Sequence, residues 1–242
     1  MRIPRCFVDQ PLSAGQDLML GEAASTHLVR VLRLASGDAC VVFNGDGMDY
    51  PATVRLAGKR SVEVAVGTPV AVTNESPLRI TLLQGIARGE KMDLILQKAT
   101  ELGVQRIVPV TTERTEVKLD AERGERRLQH WRGVLIAACE QCGRARLPEL
   151  DSPQPLPQAL LEARSESAFV LDPTAALRLA DLPTPLTTAT LLVGPEGGLA
   201  PRDLQAAAAA GFRGLRLGPR VLRTETAGLA ALAALQTLRG DF

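Results

Sequence analysis

Short apolar runs alternate with longer amphipathic stretches along this chain, and their character changes once, near residue 75. Before that point, segments 39–43 (Ala-Cys-Val-Val-Phe), 52–56 (Ala-Thr-Val-Arg-Leu) and 61–66 (Ser-Val-Glu-Val-Ala-Val) are rich in β-branched residues and partly alternating. A period of two predicts half-buried strands. Asn44-Gly45-Asp46-Gly47 and Ala57-Gly58-Lys59 supply turns between them. The spacing predicts a small β-barrel over residues 1–72, interrupted by one helix from Glu22 to Leu34. Residues 73–77 (Thr-Asn-Glu-Ser-Pro) are polar and turn-rich, and mark a domain boundary.

From Arg79 the pattern alternates between strands and helices. Strands are predicted at 80–85, 106–110, 167–171, 190–193 and 214–217, with helices at 91–102, 124–141, 203–210 and 227–238. Gly103 closes the helix before it. The proline-rich stretch 148–157 reads as a connector. The order is that of an α/β domain over residues 77–242 with a mostly parallel sheet.

Composition narrows the function classes. The chain has 242 residues, 45% of them apolar, enough for a sizeable core. A net charge of +1 gives no global basic field, so nucleic acid would have to meet a local basic face. Aromatics at 3% argue against base stacking on exposed rings. Met1–Phe7 lacks the apolar core of a signal peptide, and no apolar run of about 18 residues exists to span a membrane, so a cytoplasmic protein is expected. Cys139 and Cys142 form a Cys-x-x-Cys inside a helix pattern, without the second ligand pair that zinc needs; no metal is expected.

Two glycine loops carry the candidate chemistry. Leu191-Leu-Val-Gly-Pro-Glu-Gly-Gly-Leu199 and Leu217-Gly-Pro-Arg-Val-Leu-Arg-Thr-Glu-Thr-Ala-Gly228 each follow an apolar strand and feed a helix. Parallel strands bring such loops to one sheet edge, where ligands bind. On its own the first loop fits either a tight turn or a ligand cradle. It lacks the lysine of a phosphate loop, and Glu196 would repel phosphates, so a nucleoside without a phosphate chain suits it better. The second packs Arg220, Arg223, Glu225 and two threonines into seven positions. A helix cap accounts for one threonine, Thr224 or Thr226, but not for the charges.

Basic residues form further candidates. His27, Arg30 and Arg33 are spaced by three, which puts them on one helix face. That face is either a solvated stripe or a contact for phosphates, with Lys59 and Arg60 extending it. Arg88 and Lys91 follow the strand at 80–85, again on the ligand edge of the sheet. Arg144, with Glu140 and Gln141, crowds the end of the long helix.

In combination, Leu-Val-Gly-Pro-Glu-Gly-Gly and Leu-Gly-Pro-Arg-Val-Leu-Arg-Thr-Glu-Thr-Ala resemble the bacterial 16S ribosomal RNA uracil-N3 methyltransferases of the SPOUT superfamily. Gln97-Lys-Ala-Thr-Glu-Leu-Gly-Val104, Glu140-Gln-Cys-Gly-Arg144, His27-Leu-Val-Arg-Val-Leu-Arg33 and Ser61-Val-Glu-Val64 extend the resemblance over nearly the whole chain. It implies an RNA-binding PUA-like barrel over 1–72 and a SPOUT-type parallel sheet with a C-terminal trefoil knot over 77–242. It also implies a homodimer and S-adenosylmethionine held among three loops. The cofactor residues it implies are Leu171, Val193, Gly194, Pro195, Gly197 and Gly198 in the first two loops. Leu217, Gly218, Val221, Leu222, Thr226 and Ala227 belong to the third.

Uracil N3 is protonated at neutral pH, so its methylation needs a base or cations that stabilise the ring anion. Arg223 is assigned the anion, Glu225 the orientation of Arg223 or the proton, with another carboxylate such as Glu101 or water as the alternative base, and Arg88 a supporting role. Lys91 and Arg144 join His27, Arg30, Arg33, Lys59 and Arg60 as RNA contacts. Two alternatives stand beside this reading: methylation of another RNA or of a ribose hydroxyl, and a non-catalytic RNA-binding or assembly factor.

Overall fold

The structure, a computed structural model, describes residues 3–58, 61–117, 121–163, 167–182 and 184–242. It comprises two units: residues 1–75 with 136–147, and residues 76–135 with 148–242. The boundary after Glu75 falls inside the polar stretch 73–77. That residues 136–147 group with the first unit was not foreseen from sequence.

The first unit is built on β1 (Arg5–Phe7), β2 (Asp17–Met19), β3 (Ala39–Phe43), β4 (Met48–Ala57), β5 (Val62–Val66) and β6 (Val70–Ala71). They pair in the order β1-β3-β4-β5-β2, with β6 on β4. The alternating side chains of β5 bury Val62, Val64 and Val66 against Leu28, Val42 and Val54. The predicted helix from Glu22 to Leu34 is shorter and irregular. α1 (Glu22–Thr26) passes into one π-helical turn, His27–Val31, and Arg33 stands beyond it at φ +57°. Residues 136–147 supply Cys139, which packs with Phe7 and Phe43. Burial pushes the Cys139 thiol up to about 12, as suits an inert packing residue.

The second unit carries β7 (Arg79–Gly85), β8 (Arg106–Thr111), β9 (Glu149–Leu150), β10 (Gln154–Pro155), β11 (Ala168–Leu171), β12 (Thr188–Val193) and β13 (Arg213–Leu215). The pairing order is β10-β8-β7-β12-β11-β13, with β9 on β8, and every pair is parallel. Its helices are α2 (Glu90–Glu101), α3 (Ala121–Cys142, whose last residues belong to the first unit), α4 (Leu156–Glu162), α5 (Pro201–Ala209) and α6 (Thr224–Arg239). The central strands are largely apolar because both faces are covered: five of the six residues of β12 are buried. The segment 148–157, expected to be a plain connector, holds β9, β10 and the start of α4.

β12 lies between β7 and β11, so the chain reverses its direction of advance across the sheet there. That is the switch point beside which α/β sheets place ligands. After β13 the backbone pairs with the 172–187 segment, Arg216 N–H donating to the Leu177 carbonyl at 2.9 Å, before α6 begins. α6 packs against α2, β7 and β12. Among the described residues no helix is long and apolar enough to cross a membrane.

Candidate active site

Because β11, β12 and β13 run parallel, the loops that follow them leave one edge of the sheet. They enclose a cavity of about 510 Å³ whose lining includes Leu171, Val193, Leu199, Leu204, Val221 and Leu222 as apolar walls. Gly194, Pro195 and Gly198 bring backbone to its surface, and Lys91, Glu196, Arg223 and Glu225 bring charge. An adjoining space of about 80 Å³ adds Leu217, Gly218 and Arg220, and shares Ala227 with the first.

Ten of the twelve cofactor residues expected from sequence therefore line one of these two spaces; Gly197 and Thr226 line neither. A Cβ on Gly197 would stand 3.1 Å from Arg114 Cβ, and Arg114 Nη1 donates to the Gly197 carbonyl at 3.1 Å, so this glycine seats Arg114. Thr226 is exposed on the first turn of α6. Gly198 has φ +69°, and no protein atom lies within 4 Å of where a Cβ would stand, so backbone conformation rather than crowding favours glycine there.

Arg223 precedes α6 in an extended conformation (φ −66°, ψ 156°), which starts the helix three residues before the predicted Ala227. Its side chain is exposed and, among the described residues, has no hydrogen bond or ion pair. Glu225 is the opposite case. Its side chain is 15% exposed, and Oε2 is buried without a hydrogen-bond partner. The nearest cation is Lys91 Nζ, 3.9 Å from that oxygen and 3.4 Å from Glu196 Oε1. Lys91 thus bridges the carboxylates of the first glycine loop and the first turn of α6 rather than standing free for a phosphate.

Burial acts to raise the Glu196 pKa. The Arg88 N–H at 3.0 Å, the residue's own N–H and the Lys91 ammonium outweigh it and hold the carboxylate below its ordinary value. Arg88, expected to support catalysis, lies outside the cavity lining: its guanidinium meets Glu116 Oε2 at 2.6 Å, and its backbone serves Glu196.

Sequence reasoning missed the groups beneath the site. Gln84, fully buried at the end of β7, donates to Thr224 Oγ1 at 3.0 Å, and Thr224 Oγ1 donates to the Gly194 carbonyl at 2.6 Å. Thr224 is therefore a link to the glycine loop, and the cap expected from Thr224 or Thr226 is not formed: α6 has no side-chain cap. Gly85 abuts the same loop, with a Cβ there overlapping the Pro195 nitrogen and standing 2.6 Å from Pro195 Cδ. The β7 pattern marks Gln84 only as a polar residue in an apolar strand.

In the first unit, His27 faces Glu140 (Nε2 to Oε2, 3.6 Å), while Arg30 and Arg33 are exposed. A spacing of three does not align side chains across a π turn followed by a left-handed residue, so these three do not form the expected single helix face. Arg144 is 5% exposed and held by Glu75 through Nε at 3.0 Å and Nη2 at 2.7 Å. That pair ties segment 136–147 to the rest of its unit and leaves little of the guanidinium for RNA. Lys59 and Arg60 lie outside the described residues. Among the described residues no acidic, cysteine or histidine cluster could hold a metal.

Residues 74–236 match the family described as RNA methyltransferase domain, and residues 20–67 match RNA methyltransferase PUA domain. The ribosomal RNA small subunit methyltransferase E of Buchnera aphidicola (subspecies Schizaphis graminum) is 32% identical, covering 99% of this chain and 98% of that protein. A ribosomal RNA small subunit methyltransferase E from Neisseria gonorrhoeae, solved with S-adenosylmethionine, is 40% identical over the full length of both chains, with a TM-score of 0.95. A Legionella pneumophila structure holding the same cofactor is 39% identical, again over both full lengths, with a TM-score of 0.97.

Proposed function

The chain belongs to the RNA methyltransferase family, and from that premise we propose that it methylates N3 of a specific uridine in the 16S RNA of the small ribosomal subunit, using S-adenosylmethionine. The observation that carries the reading is the meeting of three loops, with Arg223 and Glu225, around one cavity. Its volume, about 510 Å³, lies within the roughly 300–1,000 Å³ of small-molecule sites. Apolar walls suit an adenosine, and Gly194 and Gly198 let backbone groups approach it. When bound, the cofactor supplies an electrophilic methyl group on a sulfonium.

The protein's own residues do the rest. The target uridine must leave its pairing partner to present N3. Arg223, unpaired and planar, donates to a uracil oxygen as negative charge builds there. It stays protonated and so cannot take the N3 proton. Glu225, with one buried oxygen lacking a donor, accepts that proton. Lys91 steadies Glu225 and Glu196.

RNA is held through Arg30 and Arg33 of the first unit, with Lys59 and Arg60. A homodimer belongs to the same reading: the buried stripe of α6, which includes Gly228, Ala231, Leu232 and Leu235, leaves Leu229, Ala230, Ala233 and Ala234 half-buried. So does a knot, supported by the contact of the segment after β13 with the 172–187 loop. A substrate in the ribosome places the protein in the cytoplasm. Nucleoside analysis of ribosomal RNA from a strain lacking the gene tests the substrate. Loss of 3-methyluridine from 16S RNA, restored by the gene, is expected; an unchanged 3-methyluridine content would refute the assignment.

A further inference from the structure

Gln84 is a fully buried polar side chain in the central strand β7, and its surroundings do not satisfy it completely. Its Nε2 donates to the Gly85 carbonyl at 2.9 Å and to Thr224 Oγ1 at 3.0 Å, while its Oε1 is buried with no donor. A buried acceptor without a partner works against folding, and an apolar residue in a strand covered on both faces would avoid it. Gly228 of α6 faces that oxygen: a Cβ there would stand 3.5 Å from it, an ordinary van der Waals contact that supplies no donor. Thr224, itself buried, gives its hydroxyl proton to the Gly194 carbonyl at 2.6 Å. Three separate elements, the end of β7, the first residue of the glycine loop and the first residue of α6, thus meet in one relay.

We propose that the Gln84–Thr224–Gly194 relay is a positioning device that fixes the cofactor loop against the start of α6. It acts through the backbone. Thr224 lies between Arg223 and Glu225, so whatever sets Thr224 also sets the two groups assigned to the uracil. Gly194 opens the loop that lines the cavity. One hydroxyl therefore couples cofactor binding to the placement of the reacting residues. The inference rests on the cavity being the cofactor site. It adds a distinct consequence: the relay serves function at some expense to packing, so stability and activity separate when it is cut.

The test uses full-length protein, calorimetric titration with S-adenosylmethionine, thermal denaturation, and single-turnover methylation at saturating cofactor. Thr224→Val keeps the side-chain shape and removes the proton donor. It is expected to weaken cofactor binding about tenfold and slow methyl transfer at saturation by a similar factor, whereas Thr224→Ser stays within about twofold of the parent in both. Gln84→Met removes the relay's first donor together with the unpartnered acceptor. It is expected to melt no lower than the parent and yet bind the cofactor at least about threefold more weakly. If Thr224→Val fails to fold, the Gln84→Met result decides. Parent-like binding and rate in Thr224→Val, equal impairment in Thr224→Ser, or a Gln84→Met protein that loses stability while binding normally would each overturn the proposal. Failure of the parent itself to bind S-adenosylmethionine would instead refute the cavity assignment.

Discussion

At the scale of single residues, the site is organised by how each charge is neutralised. Among the described residues Arg223 has no partner, and loss of one donor aimed at developing charge typically costs about a hundredfold or more in rate. Arg223→Ala should therefore lower the single-turnover methylation rate by about that factor, while calorimetry finds cofactor affinity within a few fold. Abolished cofactor binding with a normal rate at saturation would make Arg223 structural. Glu196 makes a different prediction. Its folded-state pKa lies below the ordinary value of 4.5, so its contribution to stability is present above 4.5 and is lost as pH falls through the depressed value. Glu196→Gln should melt below the parent at neutral pH, and the gap should close in acid below 4.5. A gap that persists or widens in acid would show that the Arg88 and Lys91 contacts do not hold this carboxylate.

Elements place these residues, and the polarity pattern reveals them unevenly. The period of two in 61–66 and the apolar run at 190–193 announce β5 and β12, because burial on one face or on both leaves a direct trace in polarity. The π turn at 27–31 leaves no such trace: its residues read as ordinary helix, and the left-handed Arg33 is not a glycine. Arg30→Ala with Arg33→Ala nevertheless tests whether this exposed pair meets phosphate. The salt dependence of RNA binding should fall by about 0.7–0.9 in slope for each phosphate no longer engaged, as measured by titration at several salt concentrations; an unchanged slope returns the pair to solvent. Gly85 is equally silent, since its requirement comes from a loop more than 100 residues later in the chain. Gly85→Ala should overpack the Pro195 turn at about 1–3 kcal/mol, seen as a lower melting temperature together with weaker cofactor binding. Normal binding would mean that the loop yields without moving the cavity.

Across the whole molecule, the two glycine loops are legible in sequence because each is local, glycines after an apolar strand, whereas the loop after Leu171 carries no glycine and comes only from the resemblance. What is not legible depends on distant pairs. Segment 136–147 joins the first unit through Glu140 to the Phe7 N–H and through Arg144 to Glu75, contacts spanning more than 60 residues of chain. Gln84 and Thr224 are 140 residues apart. The resemblance of the two glycine motifs named the chemistry; the structure supplies the cavity in which Arg223, Glu225 and Lys91 come together. The most direct measurement combines purified protein, small ribosomal subunits lacking the modification, and S-adenosylmethionine labelled in its methyl group, followed by nucleoside analysis of the 16S RNA. The label is expected in 3-methyluridine, with formation at least about a hundredfold slower for Arg223→Ala. Label on a ribose or another base, or equal transfer by Arg223→Ala, would contradict the account.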